Sequence, residues 1–135
     1  MHRLIILIIM CLLATTSFAG ELEKETKTTK SGLQYTSLIE GTGVTPGSTD
    51  TVSVNYRGTL LNGREFDSSY KSGRPTEFRL NNVIKCWTKG LQIMKFGGKA
   101  EFVCPSNLAY GDEGIVGSVP RFATLIFEME LLAVK

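Results

Sequence analysis

Apolar and polar positions alternate with a period of two over several short stretches, and that period predicts strands. In "TVSVNYRG", Val52, Val54 and Tyr56 share one face while Ser53, Asn55 and Arg57 take the other. "KAEFVC" sets Ala100, Phe102 and Cys104 on one side. The last stretch, "TLIFEMELLAV", places Leu125, Phe127, Met129 and Leu131 opposite Glu128 and Glu130. "GLQYTSLIEG" alternates less cleanly, and "TEFRL" is a shorter strand. Asn62-Gly63 in "LNGRE" is a strong hairpin-turn signal, and "GTGVTPGSTD" is turn-rich. One segment changes period. Ile84, Trp87, Leu91 and Met94 fall at i, i+3, i+7 and i+10, one face of a helix that Asn81 or Asn82 would cap and Gly97-Gly98 would stop. Short strands with one helix predict an α+β domain in which the helix covers one sheet face, so Trp87 points toward the sheet.

The N-terminal stretch breaks this picture. His2 and Arg3 precede an apolar run from Leu4 to Ala14, and Ser17-Phe18-Ala19 follows. That layout predicts a secretory signal peptide over residues 1–19, cleaved after Ala19. The run is short for a hydrocarbon core of about 30 Å, so no stable membrane anchor is expected after cleavage. Cys11 has no small residues before it and does not read as a lipid-attachment site. Residues 20–31 carry "GELEKETKTTK", with one apolar residue, and read as a flexible leader too short for a dimer-forming helical arm; a monomer is expected. Residues 32–135 read as one domain. Export to the periplasm follows, with secretion or display at the outer surface as the alternative, since a signal peptide specifies only the first membrane crossing.

Composition then narrows the chemistry. The chain has 15 basic and 13 acidic residues, and cleavage would remove Arg3, so no basic surface for nucleic acid is implied. His2 is the only histidine. A cleaved chain has no histidine for a Ser-His-Asp or Cys-His mechanism and no histidine metal ligand. Cys86 and Cys104 would remain. Two thiols make a poor zinc site; an oxidising compartment suits a single disulfide, and two buried free thiols are the other reading. Asp67 follows Phe66, Tyr110 precedes a glycine-rich loop, and Tyr56 shares a strand face with valines. A few polar groups among aromatics suggest a small apolar pocket with oriented hydrogen-bonding groups. Most aromatics in a domain of this size are core, which is the reading each of these takes when considered alone, and Asp67 alone reads as a turn residue.

Taken in order, "VSVNYRGTLLNGREFDSSY", "TEFRLNNVIKCWTKGLQIMKFGGKAEFVCPSNLAYG" and "VPRFATLIFEMELL" resemble the FKBP-type peptidyl-prolyl cis–trans isomerases, the immunophilins that bind tacrolimus and rapamycin. The resemblance covers roughly residues 32 to 134. With the N-terminal stretch, it is to a short exported bacterial member, related to the macrophage infectivity potentiator group without its dimerisation helix. It implies a half-barrel, an antiparallel sheet of five or six strands wrapped around one short helix. It also implies isomerisation of X-Pro bonds in exported polypeptides, without cofactor or metal. A chaperone-like or adhesive binding module with weak or no isomerase activity is the alternative. By motif position the resemblance marks Asp67, Tyr110 and Phe127 as catalytic. Tyr56, Phe66, Phe78, Val83, Ile84, Trp87 and Val119 would bind substrate, with Trp87 as the floor under the proline ring and the Tyr110 hydroxyl on a substrate carbonyl. It places Cys86 at the helix start and Cys104 on a covering strand, where a disulfide between them and two buried thiols both remain open. Three departures from the family pattern stand out. Cys86 replaces a frequent glycine before the tryptophan. Ser72, with Lys71 and Arg74 nearby, stands where a basic partner for the site aspartate is common, which leaves the partner of Asp67 open. Arg121-Phe122 replaces a second proline and a polar or small residue, and Phe122 reads equally as an exposed rim aromatic or as tucked inward.

Overall fold

The computed structural model describes residues 24–135. The expected signal peptide lies outside the described residues, as does the start of the leader. The strands are β1 (Thr26–Thr28), β2 (Gln34–Ile39), β3 (Thr51–Leu60), β4 (Glu65–Ser68), β5 (Thr76–Arg79), β6 (Lys99–Cys104) and β7 (Leu125–Val134). One-turn helix α1 (Ser69–Ser72) follows β4, and helix α2 (Lys85–Leu91) follows β5.

All seven strands join one antiparallel sheet in the order β1-β2-β6-β7-β3-β4, with β5 also on β3. The alternation seen in the sequence is the reason. Val52, Val54 and Tyr56 of β3, Ala100, Phe102 and Cys104 of β6, and Leu125, Phe127, Met129 and Leu131 of β7 are all buried in one cluster with Cys86, Trp87 and Leu91 of α2. Removing each large side chain of this cluster from water contributes about 1.5–3 kcal/mol, so the sheet's apolar face closes over the helix. The approach is close. A Cβ on Gly90 would lie 2.6 Å from the Phe102 ring, so only a glycine lets α2 rest on that strand. Cys86 at the start of α2 and Cys104 at the end of β6 are joined as a disulfide, with Cα atoms 5.9 Å apart.

Three expectations need correction. Among the described residues the sheet has seven strands rather than five or six, because Thr26–Thr28, inside the expected flexible leader, pairs antiparallel with β2. Main-chain hydrogen bonding to an open edge needs no apolar residue, so this strand left no hydrophobic signature. Helix α2 is also shorter than the apolar spacing predicts. It ends at Leu91, well before Gly97-Gly98, and Met94 stays buried through a turn in which its N–H donates to the Leu91 carbonyl. The spacing reported burial, which outlasts the helix. Neither Asn81 nor Asn82 caps it. Both belong to a 3-10 turn, Leu80–Asn82, and Ile84 stands at the N-cap without a side-chain hydrogen bond. Helix α1 was not expected; its "SYKS" carries no period, and its start is set by Ser68, whose hydroxyl accepts from the Tyr70 N–H.

Candidate functional site

The site grows out of the β3–β4 hairpin. Gly63, with φ of +89°, takes the left-handed turn position that Asn62-Gly63 predicts, and Leu60 N–H donates to the Arg64 carbonyl across it. Antiparallel pairing then sets Gly58 opposite Asp67 and Arg57 opposite Ser68. The Tyr56 hydroxyl donates to Asp67 Oδ2 at 2.6 Å, and the Ser68 N–H donates to Asp67 Oδ1 at 2.9 Å. Ser69 Oγ accepts from the Tyr56 N–H at 2.9 Å and donates to Asn55 Oδ1 at 3.0 Å. Tyr56 is thus held at its main chain and at its phenol tip by the segment that carries Asp67.

Helix α2 brings Trp87 against this strand. Its ring centroid lies 4.7 Å from that of Tyr56, 5.3 Å from Phe78 and 5.3 Å from Phe127, with the Tyr56 and Phe127 contacts edge-to-face. Phe66 stands edge-on to Phe127 at 5.7 Å. These separations fall in the range that favours aromatic pairs. Gly58 makes room for two of the rings: a Cβ there would sit 2.7 Å from Phe66 Cζ and 2.9 Å from Phe127 Cε1.

Above the indole lies an open cleft of about 490 Å³ lined by Tyr56, Asp67, Asn82, Val83, Ile84, Trp87 and Tyr110. Trp87 is 8% exposed, so its ring forms floor rather than wall, and its Nε1 is buried without a hydrogen-bond partner among the described residues. Six of the ten residues marked by the resemblance meet here. Phe78 and Phe127 stand against the indole and Phe66 behind Phe127, outside the lining. Val119 is buried in the loop before β7, where it pairs through its main chain with Ile115 and lines a different hollow. Asn82 had been expected only as a helix cap. Its place directly before Val83-Ile84 was the one available signal for its position at the cleft.

The electrostatics of the rim are those of two phenols and a carboxylate. Burial, and then donation to the Asp67 carboxylate, push the Tyr56 phenol well above its ordinary pKa. Burial, and then the negative charge of Asp67, raise Tyr110. Both therefore stay protonated donors at neutral pH. The partner of Asp67 is Tyr56 rather than a base. Lys71 instead pairs with Glu65 at 3.0 Å, and Arg57 reaches the same carboxylate at 2.7 Å. Such a cleft can hold an apolar ring on its floor and a carbonyl at its rim.

A model of the FKBP-type peptidyl-prolyl cis-trans isomerases matches residues 42–132. The chain is 52% identical over 112 residues to a probable FKBP-type peptidyl-prolyl cis-trans isomerase of Haemophilus influenzae, covering 83% of this chain and 46% of that protein. It is 50% identical over 113 residues to the isomerase FkpA of Escherichia coli, covering 84% of this chain and 42% of that one. The chain spans less than half the length of these relatives. Among solved structures, a peptidyl-prolyl cis-trans isomerase of Pseudomonas syringae superposes with a TM-score of 0.78 at 40% identity, covering 94% of this chain and 95% of that one.

Proposed function

The chain belongs to the FKBP-type peptidyl-prolyl cis-trans isomerase family, and from that premise we propose that its cleft accelerates rotation about X-Pro bonds in polypeptide clients. One observation carries the reading: a nearly buried indole lies beneath an open cleft whose rim holds Asp67 and Tyr110.

The chemistry follows from the amide. Resonance holds the X-Pro bond flat, with a rotation barrier of about 18–20 kcal/mol, and uncatalysed turnover takes tens of seconds or longer. At the twisted transition state resonance is lost and the carbonyl becomes less dipolar. Water solvates the planar amide better than the twisted one. A proline ring seated on Trp87, between Tyr56, Val83 and Ile84, leaves that water behind. The Tyr110 hydroxyl, a donor kept neutral by burial and by the charge of Asp67, holds a substrate carbonyl. Asp67, oriented by Tyr56, favours the twisted amide electrostatically. Phe78 and Phe127 fix the indole from behind. Every 1.4 kcal/mol or so of preference for the twisted form is about tenfold in rate.

A protease-coupled assay on a Xaa-Pro tetrapeptide tests the proposal. Asp67→Ala and Phe127→Ala are each expected to lower kcat/KM by about tenfold or more while circular dichroism stays unchanged. Full activity in both folded variants overturns the roles, and an inactive wild type leaves a binding module with this fold. Tacrolimus or rapamycin, presenting an apolar ring to the same floor, is expected to inhibit. The proposal extends to location. The N-terminal layout supports export, and the Cys86–Cys104 pairing suits an oxidising compartment, for which we infer the periplasm.

A further inference from the structure

Another hollow, of about 370 Å³, has Leu61, Pro120, Phe122 and Ala123 among its lining. It is apolar at its mouth: Leu61 is 70% and Phe122 65% exposed. Phe122 is also the one non-glycine residue with positive φ, 58°, among the described residues. A bulky side chain disfavours that region, and backbone held there tends to mark functional sites. Here the conformation is pinned from both sides. The Phe122 N–H donates to the Gly111 carbonyl at 2.9 Å, and Arg121 Nε donates to the Asp112 carbonyl at 2.7 Å. The Arg121 guanidinium lies 5.4 Å from the centre of the Phe122 ring. Folding gains little from this arrangement, because the ring it holds in place stays in water.

Both walls of the hollow continue elements of the cleft. Gly111, which anchors Phe122, directly follows Tyr110 of the cleft lining. Leu61 extends β3, the strand that supplies Tyr56. The hollow is thereby tied, through the Gly111–Phe122 main-chain bond and through β3, to the two elements that carry Tyr110 and Tyr56 of the cleft. We propose that the Leu61–Phe122 hollow is an accessory docking site that takes an apolar side chain of the client, away from the proline itself. This rests on the isomerase reading. It makes Phe122 and Leu61 determinants of which polypeptides are good substrates, without a part in bond rotation.

The test uses Phe122→Asn, whose side chain tolerates positive φ, and Leu61→Ser on the exposed hairpin. Each is assayed on a short Xaa-Pro tetrapeptide and on an unfolded protein whose refolding is limited by proline isomerisation. The expected result is unchanged tetrapeptide kcat/KM and about a tenfold loss of refolding catalysis, carried by a weaker apparent affinity for the protein substrate. Equal activity of variants and wild type on both substrates overturns the inference. So does an equal loss on both, which would place the effect in the cleft. If sedimentation shows wild-type dimers that the variants lack, the hollow joins copies of the chain and the inference falls. A wild type inactive on the tetrapeptide defeats the isomerase reading instead, before the variants are compared.

Discussion

Tyr56 works from both of its ends, its main-chain N–H on Ser69 and its phenol on Asp67. The alternation of β3 predicts that it faces inward; its bond to a carboxylate eleven residues on depends on hairpin register, which the pattern leaves open. Tyr56→Phe keeps the ring against Trp87 and removes only the donor. It is expected to cost about 1.5–3 kcal/mol in urea unfolding, since the bond it removes ends on a charged group, and to reduce tetrapeptide kcat/KM several-fold by freeing Asp67. The raised phenols also set a pH signature. Tyr56 and Tyr110 hold their protons more tightly folded than unfolded, first through burial. Their contribution is complete below about pH 10, where unfolded phenols titrate, and is lost as pH rises beyond it. Unfolding compared at about pH 9 and about pH 11 should show falling stability, and a smaller fall in Tyr56→Phe.

Between elements, small residues govern the close approaches. Gly58 sits under the Phe66 and Phe127 rings and Gly90 on the Phe102 ring. Gly58→Ala is expected to destabilise by about 1–3 kcal/mol, because the displaced rings belong to a packed core, and to weaken catalysis through Phe127. A thermal melt with a parallel peptide assay measures both. The Cys86–Cys104 bond ties α2 to β6 across 18 positions of sequence. Closing such a loop contributes on the order of 3 kcal/mol, so reductant should lower the melting midpoint, and in a chain beginning at Gly20, which lacks Cys11, mass should rise on alkylation only after reduction. From the residues alone, a disulfide and two buried thiols fitted equally well. The helix itself was legible in its inward face and illegible in its ends, because burial continues past Leu91 while the helical hydrogen bonds do not.

For the molecule as a whole, the sheet order separates the two ends of the chain's work. The cleft is built on β3, β4, α2 and the Tyr110 loop, while β1, among the described residues, pairs only with β2 at the opposite edge. A chain beginning at Thr29 should therefore keep its tetrapeptide activity and lose little stability; a large loss of activity would mean that β1 supports the cleft. What the sequence alone determined was which side chains turn inward, where the hairpin bends, and the ordered motifs behind the family resemblance, because burial and turn chemistry act over a few neighbouring residues. The pairing of Tyr56 with Asp67, the edge strand β1, the placement of Val119 outside the cleft and the exposed, strained Phe122 were decided only by tertiary structure. Each depends on which distant segments are brought into register, and no local period encodes that.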